Sequence, residues 1–255
     1  MTSLEVHELT VHFDGRPIVE NLSIVVPSGA FAAVLGPSGC GKTTLLKIIA
    51  GILAPTEGET RVNGDSPDMA RRKRQIGYVF QTPALLKNRT VLGNIALPLE
   101  IAGLPRRVAY QKARQALELV RLVDFEGFLP HQLSGGMKQR VAIARVFVTD
   151  CLVLLMDEPF GSLDTYNREK MGEKLLEVWQ RAGCKRTVIF VTHDPYEAAF
   201  LSDKVFFLSG GPGKVKAQIE MGFTRPRSAD LRVQEEFFEM TSKLRQLYKE
   251  DEYDQ

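Results

Sequence analysis

Phe31-Ala32-Ala33-Val34-Leu35-Gly36-Pro37-Ser38-Gly39-Cys40-Gly41-Lys42-Thr43 reads as an apolar strand running into a glycine-rich loop and then a helix. Residues 36–43 fit the pattern G-x-x-x-x-G-K-[ST], and the flanking strand and helix are the context that gives this short pattern meaning. Its glycines let backbone N–H groups converge on phosphate oxygens, and the helix N-terminus adds positive potential. Lys42 would reach the outer phosphates, and the Thr43 hydroxyl would coordinate Mg²⁺. The expected phosphate-binding set is Gly36, Pro37, Ser38, Gly39, Cys40, Gly41, Lys42, Thr43 and Thr44. The bland alternative is a glycine-rich turn that only starts a helix. That helix is predicted from Lys42 to about Ala50, with Gly51 as its left-handed cap.

Further along, Leu152-Val153-Leu154-Leu155-Met156-Asp157-Glu158 is an apolar strand ending in two acids. Alone it would be a buried strand with solvated end charges. Beside a phosphate loop, Asp157 suits Mg²⁺, largely through water, because that ion keeps much of its hydration shell. Glu158 is then left to orient or deprotonate an attacking water, which points to hydrolysis over phosphoryl transfer. Leu133-Ser134-Gly135-Gly136-Met137 adds a second candidate anion site. Ser134, Gly135 and Gly136 would present a hydroxyl and N–H groups at the start of a helix over Met137–Val148. A simple capped helix is the structural alternative.

The 255 residues suit one large domain, or a core with one inserted subdomain. Hydrophobic content of 44% and charged content of 25% are ordinary for a globular protein. A net charge of +2 gives no electrostatic case for nucleic acid. The dense basic run Arg71-Arg72-Lys73-Arg74 reads as a solvated lead-in to a strand over Ile76–Phe80. Cys40, Cys151 and Cys184 share no metal-ligand spacing, and three thiols do not make a disulfide framework. Reduced thiols are expected, with Cys151 opening a buried strand. No apolar run approaches the roughly 18 residues that span a bilayer, and Met1–Glu5 lacks signal-peptide character. A cytosolic chain that meets the membrane only through a partner is the expectation.

Residues 4–35 alternate apolar and polar, with turns at Asp14-Gly15 and Pro27-Ser28-Gly29, and predict short antiparallel strands leading into Phe31–Leu35. From about Thr90 to Val123 the period becomes helical, with breaks expected at Pro98 and at Gly103-Leu104-Pro105. Strands return at Leu152–Met156 and Val188–Val191, around a helix over Glu169–Arg181. This alternation implies a parallel sheet covered by helices, with the helical stretch inserted into it. Leu231, Phe237, Phe238, Leu244 and Tyr248 have roughly helical spacing, which predicts a tail helix packed on the core or on a dimer mate. Its acidic end, Glu250-Asp251-Glu252, disfavours anionic lipid. Trp179 is expected in the core.

Taken in order, Gly36–Thr43, Gln81, Leu133–Met137, Leu154–Glu158, Ser162-Leu163-Asp164 and Thr192-His193-Asp194 resemble the motifs of the ATP-binding subunits of ABC transporters. The resemblance covers residues 4 to about 227. Each motif is weak alone, but their order and spacing are specific. The resemblance implies an α/β fold: a RecA-like P-loop core with an N-terminal antiparallel β subdomain and an inserted α-helical subdomain. The ATP-binding domain would span 4–227, with the insertion at about 84–148 and a C-terminal helical tail over 228–255. ATP and Mg²⁺ are the implied cofactors.

The same resemblance implies roles residue by residue. Ser134 and Gly136 would contact the γ-phosphate of ATP held on the phosphate loop of a partner subunit, in a homodimer or heterodimer. Gln81 would touch Mg²⁺ and the attacking water and link the core to the helical insertion. His193 would hydrogen-bond the γ-phosphate and position the water of Glu158. Asp164 would communicate across the dimer, although Gly161-Ser162-Leu163-Asp164 departs from the commoner Ser-Ala-Leu-Asp. Phe13 matches the position that stacks on adenine. Without the resemblance, Gln81 would be a solvent-facing loop residue, His193 structural and Phe13 core. The catalytic set is thus Lys42, Gln81, Glu158 and His193, and the metal set Thr43, Gln81 and Asp157. His7, His12 and His131 carry no comparable role.

Leu133–Arg140, Met156–Gly161, Leu208–Gly213 and Arg225-Pro226-Arg227 are similar to the importer branch that serves nitrate, sulfonate, taurine and related solutes. After Pro83-Ala84-Leu85-Leu86 that branch usually continues Pro-Trp, whereas Lys87-Asn88-Arg89-Thr90 stands here. This region normally lines the groove for the permease. The implied protein is an ATPase at the cytoplasmic face of the membrane, peripheral through an integral membrane permease that an extracytoplasmic solute-binding protein feeds. No nucleic-acid partner is expected. The alternatives are a soluble ABC ATPase of DNA repair or translation, and an exporter or lipid-transport ATPase. The first typically carries tandem halves or long coiled coils, which this chain does not display.

Overall fold

The computed structural model describes residues 2–181 and 186–253. Strands β1 (Thr2–Phe13) and β2 (Arg16–Pro27) pair antiparallel around Asp14-Gly15. Both turn residues have positive φ, the backbone that a two-residue hairpin needs. At twelve residues each, these strands are longer than the short ones expected. After β3 (Phe31–Leu35) and α1 (Lys42–Ile49), strand β4 (Glu57–Val62) returns to β1, giving a small sheet of order β2-β1-β4.

The chain continues through α2 (Pro67–Arg72), β5 (Ile76–Val79), α3 (Val91–Ile101), α4 (Arg106–Leu119), α5 (Gly135–Phe147) and β6 (Val153–Asp157). It closes with α6 (Thr165–Arg181), β7 (Thr187–Thr192), α7 (Pro195–Leu201), β8 (Lys204–Leu208), β9 (Val215–Glu220) and α8 (Glu235–Tyr253). The main sheet has the order β5-β6-β7-β3-β8-β9. Its strands are parallel except β9, which runs antiparallel to β8.

Strands β3, β6 and β7 are buried along their whole length, as expected when a parallel sheet is covered on both faces. Their side chains divide by parity. Phe31, Ala33 and Leu35 join Phe160, Trp179 and Phe190 on one face, while Ala32 and Val34 join Leu22, Leu45 and Ile49 on the other. Trp179 packs its edge on Phe31, with ring centroids 5.5 Å apart. Helix α1 therefore shares one apolar cluster with both sheets.

A third apolar cluster joins α3, α4 and α5 through Leu92, Ile95, Leu99, Ala113, Leu117 and Val141. The expected break at Pro98 does not occur, because α3 runs through it to Ile101. A proline inside a helix loses one hydrogen bond and costs about 3 kcal/mol. Here Thr90 caps the first turn, and Val91, Leu92, Ile95, Ala96 and Leu99 are buried against the neighbouring helices, which holds the helix together. The chain turns instead at Gly103, at φ 87°.

Helix α6 starts at Thr165, ahead of the predicted Glu169, because the Asp164 carboxylate accepts the Asn167 N–H at 3.0 Å. On α8, Phe237 and Leu244 are buried against the core as expected. Phe238 is 49% exposed, since neighbouring positions on a helix cannot face the same way. The basic run is solvated, with Arg71 and Arg72 paired to Asp68 and Lys73 to Asp65. Cys40 and Cys151 are buried free thiols, and Cys184 lies outside the described residues. Among the described residues no helix is long and apolar enough to cross a membrane.

Candidate functional site

Four adjacent parallel strands, β5, β6, β7 and β3, end at one side of the main sheet. Their carboxyl ends carry, in spatial order, Gln81, Asp157-Glu158, His193 and the phosphate loop. Ligands of open α/β sheets bind outside these ends.

The loop from Gly36 to Gly41 enters α1 without a side-chain cap, so the first N–H groups of the helix are directed at the loop mouth. Gly41 has φ 92°, and a Cβ there would lie 2.5 Å from Val19 Cγ2, so only glycine fits. A Cβ on Gly39, by contrast, would meet nothing within 4 Å. Lys42 is buried, and its ammonium donates to the carbonyls of Gly36 at 2.8 Å and Pro37 at 2.6 Å. Beneath it, burial pushes the Cys40 thiol up, and the Lys42 charge only partly opposes this. Cys40 is a packing residue of the loop, not a thiolate nucleophile.

The Thr43 hydroxyl donates to Asp157 Oδ1 at 3.0 Å, and the Tyr78 hydroxyl to Oδ2 at 3.4 Å. Burial raises the Asp157 carboxyl above its ordinary value and the Glu158 charge adds to this, while Thr43, Tyr78 and Lys47 oppose it. A cation beside Asp157 would favour its ionised form. The donors are hard oxygens, one hydroxyl and one carboxylate, which fits Mg²⁺. Among the described residues no cluster of three or more His, Cys, Asp or Glu could cage a metal. Thr43 and Asp157 would therefore hold only part of the shell of such an ion.

Glu158 leaves β6 with φ 42°, a left-handed backbone that costs an L-residue about 1–2 kcal/mol. Its N–H is held by the Val191 carbonyl at 3.0 Å. One carboxylate oxygen, Oε2, accepts from Gln81 Nε2 at 3.3 Å and lies 3.3 Å from His193 Nδ1. The side chain of Glu158 is 20% exposed and that of His193 53%, so this trio opens to solvent. Gln139, missed in the sequence, donates to the Phe80 carbonyl at 3.2 Å and ties α5 to the turn that carries Gln81.

Two other groups were missed. Thr192 Oγ1 donates to Glu197 Oε2 at 2.5 Å, and Arg168 lies 3.4 Å from both Glu197 Oε1 and Asp194 Oδ2. Burial pushes the Glu197 carboxyl up to about 7; Asp194 adds to this, and Thr192, Arg168 and His193 oppose it. This network links the first turns of α6, just after Asp164, to the turn carrying His193. Tyr78 is the second group. Its approach to Asp157 depends on the pairing of β5 with β6, which nothing local encodes.

The remaining expected residues stand apart. Phe13 ends β1 and is 43% exposed. Ser134 caps α5, its hydroxyl accepting the Met137 N–H at 3.3 Å, and no described hydrogen bond joins residues 134–136 to residues 36–44. A Cβ on Gly136 would lie 2.7 Å from Leu163 Cδ2, so that glycine packs beneath the 162–164 loop. Asp164 is exposed, and Asn167 holds its carboxyl below the ordinary value through backbone and side-chain hydrogen bonds.

A groove of about 560 Å³ separates the main sheet from the three-helix cluster, with Arg71, Tyr78, Leu97, Ile101, Leu104 and Arg145 in its wall. The Lys87–Thr90 turn is not part of that wall. Instead Thr90 caps α3, and the Asn94 side chain holds the Leu86, Arg89 and Thr90 carbonyls.

A family model described as ABC transporter matches residues 19–161, more than half of the chain. An uncharacterised ABC transporter ATP-binding protein of Methanocaldococcus jannaschii is 41% identical over 252 residues, covering 97% of this chain and 92% of that protein. A taurine import ATP-binding protein of Pseudomonas syringae pv. tomato is 41% identical over 231 residues, covering 90% of this chain and 87% of that protein. An aliphatic sulfonates import ATP-binding protein of Bacillus cereus is 42% identical over 231 residues, covering 91% and 88%. Among solved structures, a dimeric ATP-binding cassette in a post-hydrolysis state, bound to ADP and Pi, superposes with a TM-score of 0.79 at 29% identity. It covers 87% of this chain and 100% of its own.

Proposed function

The chain belongs to the ABC transporter family as an ATP-hydrolysing subunit, and from that premise we propose that it powers an importer for a nitrate-, sulfonate- or taurine-like solute. One observation carries the catalytic reading: a single oxygen of Glu158 meets both Gln81 and His193, next to the Thr43–Asp157 pair. The similarity to taurine and aliphatic sulfonate import proteins supports the solute class.

In this reading Lys42 and the N–H groups of residues 36–44 bind the phosphates of ATP, and Phe13 stacks on the adenine. Thr43, Asp157 and Gln81 would hold Mg²⁺, which would offset charge on the phosphate oxygens. Glu158 takes the proton of the attacking water, while His193 and Gln81 hold that carboxylate and the water in place. A positioned general base contributes roughly 10²–10⁴-fold. Ser134, Gly135 and Gly136 serve the ATP of a second cassette, identical or related, and Asp164 carries the state of one site to the other.

The proposed domain, 4–227 with its insertion at about 84–148, precedes a tail at 228–255 whose described helix is Glu235–Tyr253. The separate three-helix cluster supports the insertion, while Leu231, Phe237 and Leu244 pack the tail into the main core. Closure around two ATP molecules and reopening after hydrolysis would drive a separate membrane permease, supplied by an extracytoplasmic solute-binding protein. The chain would then be peripheral, on the cytoplasmic face of the membrane. The test is to purify the tagged chain with its membrane partner and rebuild the complex in vesicles. ATP-dependent accumulation of taurine, an alkanesulfonate or nitrate is expected. Recovery with ribosomes or DNA that activate the ATPase, and with no permease, would overturn the reading.

A further inference from the structure

The last helix reaches the turn carrying His193. The Tyr248 hydroxyl, on α8, donates to the carbonyl of His193 at 3.0 Å. That carbonyl lies beyond Thr192, the last residue of β7 in register with β3, so no strand supplies its partner. The Tyr248 ring stands edge-on to Phe207, centroids 5.1 Å apart. One turn further on, the buried Asp251 carboxylate accepts the N–H of Gly210 at 2.7 Å.

Gly210 belongs to the turn behind the phosphate loop, and the two backbones are in direct contact. A Cβ on Gly213 would fall 2.0 Å from the Cys40 carbonyl, and one on Gly36 2.6 Å from the Leu208 carbonyl. Phe237 and Leu244 bury the apolar face of α8 in the main core. A helix so anchored holds the backing of the phosphate loop with Asp251 and the His193 turn with Tyr248. The His193 imidazole is half exposed, and Glu158 is the side chain it meets, so its aim depends on the backbone behind it.

We propose that Tyr248 is a positioning residue for hydrolysis: its hydroxyl fixes the His193 backbone and thereby keeps the imidazole against Glu158. The inference rests on the reading of His193 as a catalytic group. Tyr248→Phe deletes the hydroxyl and keeps the ring on Phe207, so folding is preserved. Losing one hydrogen bond of this kind should lower kcat about fivefold.

The experiment compares wild type, Tyr248→Phe and His193→Gln, each labelled with ¹³C-histidine. The chain has four histidines, and the signal lost in His193→Gln identifies His193. Tyr248→Phe should shift or broaden that signal and leave the other three in place. Its kcat should fall about fivefold, with MgATP affinity within about twofold and Tm within about 4 °C of wild type. An unchanged kcat would overturn the proposal, whatever the signal does. So would a fall in kcat accompanied by weaker ATP binding, a Tm lowered by well over about 4 °C or movement of all four signals, since that marks a merely structural role. A slow His193→Gln beside a full-rate Tyr248→Phe defeats Tyr248 alone. A full-rate His193→Gln defeats the assignment of His193 itself.

Discussion

The phosphate loop and the Ser134–Gly136 segment each open a helix and offer N–H groups to an anion, yet their surroundings differ in kind. Around the first, Lys42 is tied to the loop carbonyls and Thr43 to Asp157 by hydrogen bonds of 2.6–3.0 Å. The end of β6 adds Glu158, already in contact with Gln81 and His193. Around the second, Ser134 caps its own helix, and a Cβ on Gly135 would meet nothing within 4 Å. One region is furnished within the chain; the other presents helix N–H groups that no described hydrogen bond joins to residues 36–44. That asymmetry is what a site shared between two copies requires.

The comparison can be broken by four variants. Glu158→Gln should have the largest effect, lowering single-turnover phosphate release by roughly 10²–10⁴-fold while MgATP binding persists. Light scattering should then find an ATP-held dimer. Ser134→Arg should abolish steady-state hydrolysis to at least about 100-fold below wild type, because the bulky cation blocks an anion site built from N–H groups. Equilibrium dialysis should show monomer affinity for ATP unchanged, and loss of that affinity would mean the segment serves its own chain.

Gly136→Ala is a milder probe. Its Cβ would press on Leu163 at 2.7 Å and displace the loop leading to Asp164. Hydrolysis should fall about tenfold with ATP binding intact, since overpacking typically costs about 1–3 kcal/mol. The smallest effect on activity should come from Glu197→Gln, whose signature is in stability. The raised carboxyl, near 7 against an ordinary 4.5, binds its proton more tightly when folded. Wild-type stability should therefore fall as pH rises from about 4.5 to 7, by up to about 3 kcal/mol. Chemical denaturation of Glu197→Gln across that range should show a flatter profile.

What could be read from the sequence divides along the same line. The run Phe31–Thr43 and the strand before Asp157 are contiguous, strongly apolar and punctuated by glycine or acid, so local pattern suffices for them. Strand β4 was invisible because Glu57–Val62 is a mostly polar edge segment, whereas β9 does alternate Val215, Ala217 and Ile219 with polar residues but is a short edge strand that buries Ile219 alone. Pro98 misled because tertiary packing of α3 outweighs a local breaker. Tyr78 and Tyr248 acquire their partners only through strand pairing or helix docking, Tyr248 from 55 residues away, and Glu197, although Thr192 is a local partner, meets Arg168 only where α6 and α7 come together. The α/β class and the order of motifs were legible; the network behind the His193 turn was not.

The central claim, that Ser134–Gly136 completes the site of another copy, is tested most directly by mixing two inactive proteins. Lys42→Ala lacks a working phosphate loop, and Ser134→Arg lacks a working Ser-Gly-Gly segment. A dimer of one with the other restores one complete site, made of an intact loop from one chain and an intact segment from its partner. Neither protein alone should hydrolyse ATP, and the mixture should regain activity that rises with its content of mixed dimers. A mixture as inactive as its components would contradict the account.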